Sequence, residues 1–146
     1  MTKYECDRKI IRLRMLVQRA EAAEAAAAGR LGACYLAYDE ARARFNSLAD
    51  YELKESQANV ATFIGNGRRF AASVAKAAKA QESVVEQHQG QVIAAEADWV
   101  SQREKLKAVS RSLAAILNLE RQNLAKLEQN VTDDLISQSE VMRPNL

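Results

Sequence analysis

Apolar and small residues recur at steps of four and three through both halves of this chain. In the first half the positions are Cys6, Ile10, Leu13, Val17, Ala20, Glu24, Ala27, Leu31, Cys34, Tyr38, Ala41, Phe45, Leu48 and Glu52, and only Glu24 and Glu52 are not apolar. In the second they are Val74, Ala78, Gln81, Val85, His88, Val92, Ala95, Trp99, Gln102, Leu106, Val109, Leu113, Leu117, Leu124, Leu127 and Val131. Spacing of this kind winds a stripe of one helix against a stripe of another. It predicts an all-α fold, a long antiparallel two-helix coiled-coil hairpin. Such a fold buries one stripe per helix and leaves no pocket for chemistry, so the expected function is mechanical or adhesive.

The composition agrees with this reading. Good helix formers dominate, with one Pro (Pro144) and one Trp among 146 residues, and no run of β-branched residues suggests a strand. The densest turn signal is Gly65-Asn66-Gly67. The chain therefore reads as a single hairpin over residues 1–146: helix 1 over about 2–62 with Thr2 as a possible N-cap, a turn at about 60–67, helix 2 over about 68–138 and a flexible tail at 139–146. Residues whose numbers add to about 132 should then face each other, which sets Trp99 against Leu31 to Ala33. Close packing of a partner explains the small-residue run from Ala20 to Ala33, including Gly29 and Gly32. The polar stretch Lys54 to Asn59 offers an alternative break, with Thr62 capping helix 2 and Gly65 and Gly67 in its first turns. Two successive four-residue steps at Val109, Leu113 and Leu117 form a stutter that relaxes the supercoil.

The net charge of +2 does not argue for nucleic acid, but the start is locally basic: Lys3, Arg8, Lys9, Arg12, Arg14 and Arg19 stand against Glu5 and Asp7. An antiparallel hairpin would bring Asp133, Asp134 and Glu140 near this segment and neutralise it. Cys6 and Cys34 would lie roughly 42 Å apart along one helix, too far to bridge, and as seam thiols they behave as small hydrophobes. The charged start, with no apolar run after it, predicts no secretory signal, and no stretch approaches the length needed to cross a membrane.

Catalytic and metal chemistry have no carriers in the pattern. His88 is the one histidine, flanked by Gln87 and Gln89, and lacks companions for a zinc site. Gly65-Asn66-Gly67-Arg68-Arg69 lacks the ending and the preceding strand of a phosphate loop. Glu24 and Glu52 read either as register-setting polar residues or as edge positions reaching solvent. The expectation is a protein that is not an enzyme and needs no cofactor.

Ile11-Arg12-Leu13-Arg14-Met15-Leu16-Val17-Gln18-Arg19-Ala20-Glu21 resembles the opening of YscO-type proteins of type III secretion injectisomes. The size, the hairpin and the lone tryptophan resemble the flagellar counterpart, FliJ. Phe70 near the start of helix 2 and Trp99, followed by Arg103, Glu104 and Lys105, stand at the spacing of that family. The resemblance implies a central stalk of a type III export apparatus, at its cytoplasmic face. The implied partners are the hexameric export ATPase and the cytosolic domain of the export-gate protein, with secretion chaperones as further partners, no nucleic acid and no direct membrane insertion. By the same resemblance the gate contact maps to Phe70, Val74, Ala77 and Gln81. The family pattern has a larger aliphatic where Val74 stands and a His where Gln81 stands, and both positions also read as seam. The ATPase contact falls to Arg8, Arg12, Arg14 and Arg19 and the last turns of helix 2. The competing readings are a generic coiled-coil adaptor and a membrane-surface coiled coil using the basic face from Lys3 to Arg19.

Overall fold

The computed structural model describes residues 2–58 and 64–142, with backbone alone at 55–58 and 64–66. Its two elements are α1, Lys3–Ala58, and α2, Ile64–Val141. α1 opens on a reciprocal capping box. The Glu5 N–H donates to Thr2 Oγ1 at 3.3 Å, and the Thr2 N–H donates to Glu5 Oε2 at 3.1 Å. The first helical bond, from the Cys6 N–H to the Thr2 carbonyl, follows at 3.0 Å.

The two helices pack against each other as an antiparallel hairpin, and the seam is the stripe that the sequence spacing marks. On α1 every seam position from Cys6 to Leu48 is buried or half-buried, and Glu52 is exposed. On α2 the same holds from Val74 to Leu117, after which Leu124, Leu127 and Val131 are exposed. The deepest positions are small, Ala27, Ala41 and Ala78 among them, and no large side chain among the described residues is fully enclosed.

The chain divides into two compact units. One holds residues 1–22 with 103–146, the other residues 23–102. In the second, three side-chain contacts fix how α1 and α2 meet. Gln81 Nε2 donates to the Ala41 carbonyl at 3.0 Å, Trp99 Nε1 donates to Glu24 Oε1 at 2.9 Å, and Arg30 pairs with Asp98 at 2.8 Å. The numbers of these pairs add to between 122 and 128, below the expected value. Trp99 therefore reaches Glu24 instead of Leu31 to Ala33.

The shift follows from where α2 begins. Gly65-Asn66-Gly67, expected in a turn, stands in the first turns of α2, and no glycine among the described residues has a positive φ. A glycine inside a helix costs about 1 kcal/mol, which in-register packing of the stripe can offset. Residues 59–63, which hold half of the expected turn and the end expected for helix 1, lie outside the described residues. Of the expected tail, residues 139–141 continue α2 and 143–146 lie outside the description.

Glu24 is half-buried and accepts the indole N–H, so it is a specific polar step in the seam. Gly29 and Gly32 are both exposed, and a Cβ built on either meets nothing within 4 Å. Close approach of a partner therefore does not explain them.

Two outcomes follow from this packing. Gly29→Ala and Gly32→Ala should each stabilise the chain by up to about 1 kcal/mol in urea denaturation. Trp99→Phe keeps the ring but leaves the Glu24 carboxylate without its indole donor, and should cost about 1–2 kcal/mol in thermal melting. Adding Glu24→Leu should recover part of that loss, because neither polar partner then remains.

Candidate functional site

The structure offers surfaces rather than a cleft. Among the described residues no group of three or more His, Cys, Asp or Glu side chains could hold a metal ion. His88 is half-buried, with Nδ1 3.2 Å from Gln91 Oε1, a contact within one turn of α2. Cys6 and Cys34 are free, the first buried and the second half-buried. No helix among the described residues is long and apolar enough to cross a membrane.

In the unit of residues 23–102, the four positions expected at the gate contact fall on two faces. Val74 is 8% exposed and sits in the seam. Gln81 is half-buried, its side chain engaged with the Ala41 carbonyl. Phe70 is 47% exposed, and Ala77, two turns on, is exposed as well. Residues seven apart share a helix flank, so Phe70 and Ala77 form a surface stripe that Val84 continues. Val84 escaped the sequence reading because it adjoins the seam residue Val85; its spacing from Ala77 was the available signal. Arg68 and Arg69 stand exposed beside Phe70. The ring is thus an apolar anchor at a polar rim, the composition of an interaction hot spot.

In the unit of residues 1–22 with 103–146, Arg8, Arg12, Arg14 and Arg19 are all exposed. The Arg8 guanidinium lies over the Tyr4 ring, 5.8 Å from its centroid. No ion pair among the described residues links these arginines to Asp133, Asp134 or Glu140, so the expected neutralisation is not made. α1 starts at Lys3 and α2 runs on past it. An open groove of about 360 Å³, lined by Lys3 and Cys6 on α1 and by Glu120, Asn123, Leu124 and Leu127 among others on α2, marks where the seam loses its α1 side. Beyond it the stripe of α2 is bare, with Leu127 59% and Val131 58% exposed. Not all apolar residues of the basic segment serve the seam, because Tyr4, Ile11 and Met15 are exposed.

The two faces near Phe70 predict different responses. Val74→Asp places a carboxylate in the seam and should cost about 3 kcal/mol or more, whereas Ala77→Asp should change stability by no more than about 0.5 kcal/mol. Thermal melts of the two variants measure the difference.

Comparison with known proteins adds one finding to this geometry. The family model described as "Flagellar FliJ protein" matches residues 8–145. Neither curated proteins nor solved structures yield a match.

Proposed function

The chain belongs to the FliJ family of flagellar and type III export components, and we infer that within such an apparatus it is the stalk that joins the export ATPase to the export gate. The observation that carries this reading is the family match over nearly the whole of a two-helix hairpin. The family is one of non-catalytic export components, and the stalk acts by contact, with no cofactor and no reacting group. It works at the cytoplasmic face of the secretion apparatus.

Each unit supplies one contact. Arg8, Arg12, Arg14 and Arg19, with the last turns of α2, meet the ATPase hexamer. Long exposed cations suit a shaft held in a protein ring, since such charges steer and orient without locking. Phe70 and Ala77 meet the cytosolic domain of the gate protein. Val74 and Gln81, the other two positions of that stripe, support it from the seam by holding α2 in register against α1. Secretion chaperones are further partners of the same apparatus.

Pull-downs of variant chains against both partners test the assignment, with circular dichroism as the control for folding. Phe70→Ala should reduce gate binding by roughly tenfold or more while ATPase binding stays near that of the parent, as expected for truncation of an aromatic hot spot. Reversing Arg8, Arg12, Arg14 and Arg19 to Glu should do the opposite. If both variants bind both partners like the parent, or the parent binds neither, the stalk reading fails and a generic coiled-coil adaptor replaces it.

A further inference from the structure

In the unit of residues 1–22 with 103–146, the side of α1 turned away from α2 carries two parallel strips that the hairpin does not use. Cys6, Ile10, Leu13 and Val17 define the seam side. At 3.6 residues per turn, Tyr4, Ile11 and Met15 fall about 30° to one side of the direction opposite the seam, and Arg8, Arg12 and Arg19 about 30° to the other. All six are exposed. Lys9 and Arg14, exposed as well, stand on the two flanks, each roughly 110° from the same direction.

The acids of the segment do not quench this face. Asp7 is half-buried at its margin, and the Glu5 carboxylate accepts the Thr2 N–H in the capping box. No ion pair among the described residues engages Arg8, Arg12, Arg14 or Arg19. The Arg8 guanidinium lies over the Tyr4 ring and so ties the two strips together.

We propose that this face of α1 adsorbs to an anionic phospholipid surface, with Tyr4, Ile11 and Met15 in the headgroup layer and Arg8, Arg12 and Arg19 on lipid phosphates. The charge and the width of the face select this occupant. Its cations stand beside the apolar side chains, on stems long enough to lie along the apolar boundary while their heads reach phosphate. Tyrosine suits the same depth, with its ring in the apolar layer and its hydroxyl in water. A strip three side chains long and one wide falls well short of the roughly 800 Å² that a stable protein partner covers on each side. A lipid surface sets no such minimum, and each cation near it adds to binding. No helix among the described residues can cross a membrane, so the chain lies on the surface and α2 stays on the side away from it. Arg8, Arg12 and Arg19 are shared with the proposed ATPase contact, and lipid and ATPase therefore compete for them.

Cosedimentation of the full chain with vesicles tests this apart from the stalk reading, because no export partner is present. The vesicles are phosphatidylcholine alone, or phosphatidylcholine and phosphatidylglycerol in equal parts. Binding to the mixed vesicles should be at least about tenfold tighter than to the neutral ones and should weaken as salt rises. Ile11→Ser combined with Met15→Ser keeps every charge and should lower it by roughly tenfold or more. Arg8→Gln, Arg12→Gln and Arg19→Gln together keep the apolar strip and should lower it by roughly a hundredfold. Ile93→Ser, at an exposed apolar position outside this unit, should bind like the parent. All these positions are exposed, so circular dichroism should stay unchanged. Met15→Trp adds a reporter that brominated acyl chains should quench, whereas the half-buried Trp99 of the parent should keep its emission. Equal binding to both vesicle types overturns the proposal. So does a serine variant that binds like the parent, which means that the arginines attract any polyanion. Met15→Trp bound but unquenched assigns the contact to another face and also overturns it. A parent that ignores both vesicle types overturns it and leaves the strip to a protein partner.

Discussion

The seam between α1 and α2 is the constraint on which everything else rests, and it is built from small parts. The buried residues are alanines, a cysteine, an isoleucine and two valines. Each contributes modestly, because hydrophobic stabilisation follows apolar area and an alanine has little of it. The hairpin is held by many weak layers in register rather than by a few strong ones. That explains how polar groups can sit in the stripe. Gln81 and Glu24 interrupt it, and each is satisfied by one specific partner on the opposite helix, the Ala41 carbonyl and the Trp99 indole. Such pairs add little net energy but penalise every alternative register, because a slip would strand them half-buried without a partner.

This division of labour also explains what was legible in the sequence. The stripe itself could be read position by position, since burial in a two-helix hairpin is a one-dimensional pattern and heptad spacing encodes it directly. From Cys6 to Leu48, and from Val74 to Leu117, expectation and burial agree. The register was not legible in the same way. It depends on where the chain reverses, and local propensity at Gly65-Asn66-Gly67 pointed to a turn where the structure has the first turns of α2. Once the register moves, every cross-helix contact moves with it, and Trp99 passes from the Leu31–Ala33 region to Glu24. The Ala/Gly run misled for a related reason. Small residues signal close approach only where they face a partner, and Gly29 and Gly32 face outward.

The candidate surfaces were half legible. Composition located the basic start and the family resemblance pointed to Phe70, and neither signal depends on register. Faces do depend on it. The stripe Phe70, Val74, Ala77 and Gln81 mixes two sides of α2, and only the burial of Val74 and the hydrogen bond of Gln81 separate core from surface. Likewise the acids Asp133, Asp134 and Glu140 were expected to quench the arginines of the same chain. They stand instead on a length of α2 that has outrun α1. Unmatched charge and unmatched apolar surface thus occur together, which is the condition under which a second protein surface gains most by docking.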